Sequence, residues 1–273
     1  MSTLKAGIAG LAMAFAMPFA SAQQGSPTLS MQLDGDIRIA PDGSVKDYKP
    51  RATLAAPIAT LIEKSVLGWH FDPVVVDGVP VTASTSVHLS LSAEPIANSG
   101  DFKLRIVTVT FGEPSRLGKM TPPKYPEDAA HAHLEARVTL FLQLDEAGKV
   151  VKAEPYQTSL GARARTEGEA EGWRKRFERA SIAAAMKWQY NLSEKVNGKP
   201  IGTSVLVPIE YSMSRSGGRE RWKAFIPGPV HAGLWAGQLV KPSDSSLASI
   251  SDGNALPIDS RFRLKDDVVG KTL

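Results

Sequence analysis

Apolar and polar residues alternate in several separate stretches of this chain, and between those stretches the spacing changes to that of a helix. Ile37 and Ile39 alternate with Asp36 and Arg38, the two-residue period of a half-buried strand. Pro41-Asp42-Gly43-Ser44 supplies a turn, and a short return strand is expected over Val45 to Tyr48. Pro57 opens a helix, where its missing N–H costs nothing. Ile58, Leu61, Ile62, Val66 and Trp69 then fall on one apolar stripe. After an Asp77-Gly78 turn, Val87, Leu89 and Leu91 alternate with Ser86, His88 and Ser90, and a further strand is expected over Phe102 to Phe111. Residues 112–126 are rich in proline and glycine and read as a linker.

The second half repeats this order. Val138, Leu140, Leu142 and Leu144 define a strand, Glu146-Ala147-Gly148-Lys149 a turn, and Val150 to Tyr156 its return. Trp173, Phe177, Ala180, Ala184 and Trp188 form a helical stripe, Asn197-Gly198 a turn, and Val205, Val207, Ile209 and Tyr211 a closing strand. Set side by side, Asp42-Gly43-Ser44-Val45 matches Ala147-Gly148-Lys149-Val150. Gly68-Trp69-His70-Phe71 likewise matches Lys187-Trp188-Gln189-Tyr190, and Asp77-Gly78-Val79-Pro80-Val81 matches Asn197-Gly198-Lys199-Pro200-Ile201. Three blocks in one order point to an internal duplication, with Gly161 to Arg174 inserted in the second copy. Beyond Met213 the pattern fades. Residues 214–273 read as a tail, partly mobile, with Phe262 and Leu264 as candidate anchors.

Composition narrows the function classes. The chain has 273 residues, 42% of them hydrophobic, enough for one or two real cores. The net charge of +4 comes without any basic run, so nothing marks a nucleic-acid partner. With no Cys, disulfides, thiolate metal sites and a bacterial lipid anchor are excluded. Lys5, the uncharged stretch Ala6 to Ala20 and the small residues Ala20-Ser21-Ala22 have the layout of a secretory signal over residues 1–22. That stretch is shorter than the roughly 20 residues a membrane helix needs. The expectation is an exported, soluble, periplasmic protein with no stable membrane span; an uncleaved inner-membrane anchor is the alternative.

The second region resembles the C-terminal domain of the TonB family, the energy-transducing proteins of Gram-negative envelopes. The resemblance rests on Pro123-Lys124-Tyr125-Pro126 ahead of Ala129-Ala130, the strand Ala136 to Leu144, the turn at Gly148, Ala183-Ala184-Ala185-Met186-Lys187-Trp188, Asn197-Gly198-Lys199-Pro200, and Val205-Leu206-Val207-Pro208-Ile209-Glu210-Tyr211. The first region resembles the same domain more faintly: it lacks the Tyr-Pro motif, and His88 stands where the second copy has Pro208. The resemblance implies an α+β fold of two TonB C-terminal-like domains, each a small antiparallel sheet with one principal helix on one face. A degenerate copy would span 23–111 and a second copy 127–213.

In that family the closing strand pairs with a short receptor segment by strand addition. Carried over, the partner-binding residues are Ser204, Val205, Leu206, Val207, Pro208, Ile209, Glu210 and Tyr211, and Pro123, Tyr125 and Pro126 form the lead-in motif. Pro208 cannot donate to a ladder, which suits an edge or a bulge; it reads equally as part of a partner-accepting edge and as a guard of that edge against aggregation. The implied partner is a protein or peptide segment of the cell envelope, an outer-membrane receptor among the candidates, with a homodimer also open. A TonB transducer, however, carries a membrane helix and a long Pro-rich spacer, and neither is evident here. The reading is therefore a non-enzymatic binding module, with a membrane-anchored energy transducer or an envelope enzyme with an unrecognised site as alternatives.

No cofactor or metal is expected. His131 and His133 near Glu135 read as a solvated lead into a strand rather than a metal pair, and Asp34, Asp36 and Asp42 lack calcium-loop spacing. Trp69 and Trp188 sit on apolar stripes and read as core. The charged run Arg163 to Arg179 reads as a solvated helix start, with partner docking as the alternative; its acidic residues lead, as suits the helix dipole. No phosphate loop, nucleophile elbow or catalytic carboxylate pair appears.

Overall fold

The computed structural model describes residues 29–96, 102–213, 224–231 and 254–273; the signal-like residues 1–22 lie outside these. In chain order, the first half builds β1 (Leu29–Ile39), β2 (Val45–Pro50), α1 (Ala56–Leu67), β3 (Val75–Val76), β4 (Val79–Pro80), β5 (Ala83–Pro95) and β6 (Phe102–Phe111). Then follow β7 (Ser115–Arg116), α2 (Glu127–His131), β8 (Ala136–Leu144), β9 (Val150–Leu160), α3 (Glu167–Ala185), β10 (Tyr190–Asn191), β11 (Lys195–Val196), β12 (Lys199–Pro200), β13 (Thr203–Tyr211) and β14 (Leu256–Pro257). The fold is α+β, mostly antiparallel strands with few helices.

The turns that the sequence marks have the same geometry in both halves. Gly43 and Gly148 have φ of +89° and +74°. Each carbonyl accepts a 2.8 Å bond, from Phe71 N–H and Tyr190 N–H respectively. A Cβ at Gly43 would strike the Phe71 carbonyl, and one at Gly148 the Tyr190 carbonyl, so both positions need glycine for space as well as for φ. Asp77-Gly78 and Asn197-Gly198 each place two residues at positive φ, as two-residue hairpins of this kind require. In each half the closing strand lies beside the first strand, which in turn pairs with its return strand: β5-β1-β2 and β13-β8-β9.

Each of the two larger sheets packs a core against one principal helix. The first core gathers Leu33, Ile37, Ile62, Val66, Trp69, Phe71, Val87 and Leu89. Leu61, expected on the buried stripe of α1, is instead 44% exposed. The buried helical positions are Ile62 and Val66, so the face that meets the sheet is narrower than the sequence stripe. The second core gathers Val138, Leu140, Leu142, Phe177, Trp188, Val205 and Val207. Its helix α3 starts inside the inserted segment. Thr166 Oγ1 accepts from Glu169 N–H (3.2 Å) while Glu169 Oε2 accepts from Arg165 N–H (2.9 Å), a reciprocal cap that fixes the helix start.

Two segments expected to be loose are bound in the structure. In the linker 112–126, β7 pairs with β10, Thr121 O accepts from Trp188 Nε1–H (2.8 Å), and Met120 and Tyr125 pack against the second core. In the tail, residues 226–231 run antiparallel to the outer edge of β9, with Ile226 and Leu160 exchanging bonds of 2.8 and 3.0 Å. The final residues cross to the first half. There Phe262 and Val268 are 5% exposed within the first core, and Leu273 N–H donates to Leu104 O (3.0 Å) on β6. The physical reason is elementary: an exposed edge carries unpaired N–H and C=O groups, and any extended chain within reach satisfies them.

Candidate functional site

β13 occupies the position of interest, at one side of the β14-β13-β8-β9 sheet. Its inner side is fully paired with β8, from Thr203↔Leu144 to Tyr211↔Ala136. Its outer side can be read residue by residue. In an extended strand the N–H and C=O of one residue point the same way and alternate along the chain. Ser204 N–H donates to Asp259 Oδ1 (2.7 Å), and Ser204 O accepts from Ile258 N–H (3.0 Å). Ser204, Leu206, Pro208 and Glu210 therefore form the outward row. Leu206 pairs with Leu256 of β14, and Pro208 has no N–H to offer.

The outer edge expected to be open to a visitor is thus already taken over Ser204 to Leu206 by the chain's own tail. Asp259 Oδ1 also accepts from Thr203 Oγ1 (2.7 Å), so a single carboxylate oxygen closes the start of the strand. Of the residues carried over from the family, Val205, Val207, Ile209 and Tyr211 point into the helix-side core. Leu206 lies on the opposite face with Phe141 and Tyr156, and Leu256 and Ile258 of the tail pack on that cluster. Ser204 and Pro208 are buried and Glu210 half-buried. β5, the corresponding strand of the first half, has neighbours on both sides: β1 on one, and β6 with β11 on the other. It offers no comparable edge.

The lead-in motif is structural. Tyr125 Oη donates to Leu134 O (2.7 Å), and its ring meets Tyr211 and Phe177 edge-on at centroid distances of 5.5 and 5.9 Å. Pro126 caps α2, and Pro123 leads into it within the bound linker. Tyr211 Oη shares a 2.7 Å bond with Ser181 Oγ. The motif and the closing strand therefore meet through an aromatic cluster inside the core.

Sequence reasoning did not single out Glu194. It is 3% exposed, and its Oε1 accepts from Ser260 Oγ (2.5 Å) at the same tail segment. The backbone of Gly112, at φ +75°, packs directly on its carboxylate. Burial chiefly, with Asp259 adding repulsion, pushes the Glu194 carboxyl up to about 7 against the pull of Ser260 and Arg261. No sequence signal marks this: a lone Glu between two short strands reads as surface.

The other candidate groups are spread out. Asp36 pairs with Arg51 (2.6 Å), Asp34 with His88 Nδ1 (2.8 Å), and Asp42 holds its own turn through Ser44. His131 and His133 are exposed at the end of α2. Among the described residues no group of three or more His, Asp or Glu side chains could hold a metal ion. Arg174, in the inserted segment, is 6% exposed; it is paired with Glu167 (2.5 Å) and covered by Gly228 of the tail. Among the described residues no helix is long and apolar enough to cross a membrane.

Part of this chain is similar to Protein TonB. The chain is 30% identical over 95 residues to Protein TonB of Xanthomonas campestris pv. campestris strain B100, covering 35% of this chain and 36% of that protein. The same figures hold for Protein TonB of strain ATCC 33913. The chain thus spans about a third of the length of the curated relatives it matches. No family model matches, and no solved structure does. The similarity points to a TonB-like C-terminal domain, and the antiparallel sheets with few helices fit such a fold.

Proposed function

We propose that this chain is a non-enzymatic, TonB-like protein-binding module of the Gram-negative envelope, built from two tandem copies of one domain. In this reading it pairs the outer edge of β13 with an extended segment of an envelope or outer-membrane receptor protein. The observation that carries it is the bonding of β13 to residues 256–259: this edge takes an extended segment in antiparallel register, using backbone groups and one carboxylate. The similarity to Protein TonB over 95 residues supports the domain type. Export by a cleaved signal over residues 1–22 sets the compartment; a retained N-terminus would favour an anchored, energy-transducing role.

The test is capture of outer-membrane receptors from envelope extracts by the immobilised full chain, identified by mass spectrometry. Ser204→Pro removes an outward donor while leaving the β8 ladder intact. The comparison is made in a chain already carrying Asp259→Ala, where the tail no longer competes for this donor, and the expected result is a loss of capture of about tenfold, the worth of one backbone bond in a peptide ladder. Equal capture by the variant counts against edge pairing. The mass of the mature chain, measured alongside, decides whether cleavage follows Ala22.

A further inference from the structure

The segment seated on β13 describes the partner that would replace it. It lies antiparallel, with Leu256 opposite Leu206 and Pro257 opposite Val205. Ala255, 5% exposed, belongs to the helix-side core, while Leu256 and Ile258 point to the other face and pack with Phe141, Tyr156 and Leu206. Pro257 stands opposite Val205, whose own N–H and C=O face β8. The proline therefore loses no bond to β13, and it denies a donor to any further strand outside it. Asp259 ends the segment, accepting from both Ser204 N–H and Thr203 Oγ1 at 2.7 Å.

Each contact is a recognition rule. A small residue fits first, aliphatic residues fit second and fourth, the third needs no N–H, and a carboxylate is required fifth. The carboxylate is the most selective of these, since an ionised acceptor on two donors is worth more than a neutral pair. The corresponding place in the first half is also filled by a strand: Ala83 and Ser84 of β5 pair with Val196 and Lys195 of β11. The start of the closing strand accepts an added strand in both halves, once from the neighbouring half and once from the tail.

We propose that the outer edge of β13 is a docking groove for an extended acidic peptide of the pattern small–aliphatic–any–aliphatic–carboxylate, and that residues 255–259 are its built-in occupant, which a partner must displace. This rests on the peptide-binding reading of β13 given above. A tethered segment competes at an effective concentration of roughly millimolar. The wild-type chain is therefore held largely closed, and weakening the tail raises affinity for a visitor.

The experiment uses the full chain and a fluorescent peptide with the sequence of residues 254–260, Asn-Ala-Leu-Pro-Ile-Asp-Ser. An opened variant carries Leu256→Ser and Asp259→Ala, with folding checked by circular dichroism. A locked variant carries Val205→Cys and Pro257→Cys, which the absence of native cysteine makes a unique crosslink. The opened variant binds the peptide at least about tenfold more tightly than wild type. Replacing the peptide's Asp by Asn loses about tenfold, and the locked variant binds only after reduction. A folded opened variant that binds no better than wild type, or binds the Asn peptide equally well, overturns the proposal. Should opening unfold the chain, the locked variant decides alone: binding undiminished by the crosslink overturns it, and binding that appears only on reduction sustains it. Peptide binding without receptor capture would fail the functional reading alone, whereas receptor capture indifferent to opening and locking would fail this one alone.

Discussion

Glu194 is a carboxylate enclosed between the Gly112 backbone, Ser260 and the charges of Asp259 and Arg261. Its pKa lies at about 7, above the ordinary 4.5, because burial disfavours the ionised form. The folded state therefore holds this proton more tightly than the unfolded one. The associated stability is fully present below about pH 4.5 and is lost as pH rises through about 7. A shift of that size corresponds to about 3 kcal/mol. Thermal unfolding at pH 5 and pH 8 measures it: the wild type is expected to lose stability between the two, and Glu194→Gln to flatten the difference. A wild type with equal stability at both would rule out the assignment. The glycines offer a second contrast. Gly148→Ala meets the Tyr190 carbonyl at φ +74° and costs upwards of about 2 kcal/mol. Gly198→Ala has φ +80° but open space around it, and costs only about 1 kcal/mol of backbone strain. Denaturant titration of the two variants compares them directly.

Among the elements, β13 divides its backbone between two kinds of neighbour. Val205, Val207 and Ile209 bond inward to a nine-residue strand, Ser204 and Leu206 outward to the short tail segment 256–259. Amide protection should alternate accordingly, since local opening frees the tail before the sheet. Hydrogen exchange followed by NMR is expected to show Ser204 and Leu206 exchanging faster than Val205 and Val207. Asp259→Ala should speed the first pair and spare the second; uniform protection along β13 would contradict the division. The closing strand itself was legible from the alternation of Val205, Val207, Ile209 and Tyr211, because core-facing side chains write a period of two into any strand. Its outer neighbour was not. Leu256-Pro257-Ile258 is too short for a period, and backbone pairing leaves no mark on side-chain identity.

Taken as a whole, the molecule is tied together by segments that pass between its halves. β11 of the second half extends the first sheet at β5, with Asn197 N–H donating to Thr82 O (2.9 Å). The tail covers the edges of β9 and β13 and then buries Phe262 and Val268 in the first core. Calorimetry should accordingly show a single cooperative transition; two well-separated ones would contradict this coupling. Phe262→Ala removes a large side chain 5% exposed and is expected to cost about 3 kcal/mol or more, read as a lower unfolding midpoint.

Local chemistry was determined by the sequence alone. The strand and helix periods, the glycines at Gly43 and Gly148, and the Asp77-Gly78 and Asn197-Gly198 hairpins follow from φ/ψ limits and side-chain spacing, which act within a few residues. The tertiary structure alone decided which edges meet which strands, why Leu61 faces outward, and why Glu194 lies buried. The edge pairings depend on backbone N–H and C=O groups, identical in nearly every residue, finding partners far along the chain, and the places of Leu61 and Glu194 on the packing that those pairings bring about. The address of such a partner is set by packing in three dimensions and by nothing written locally.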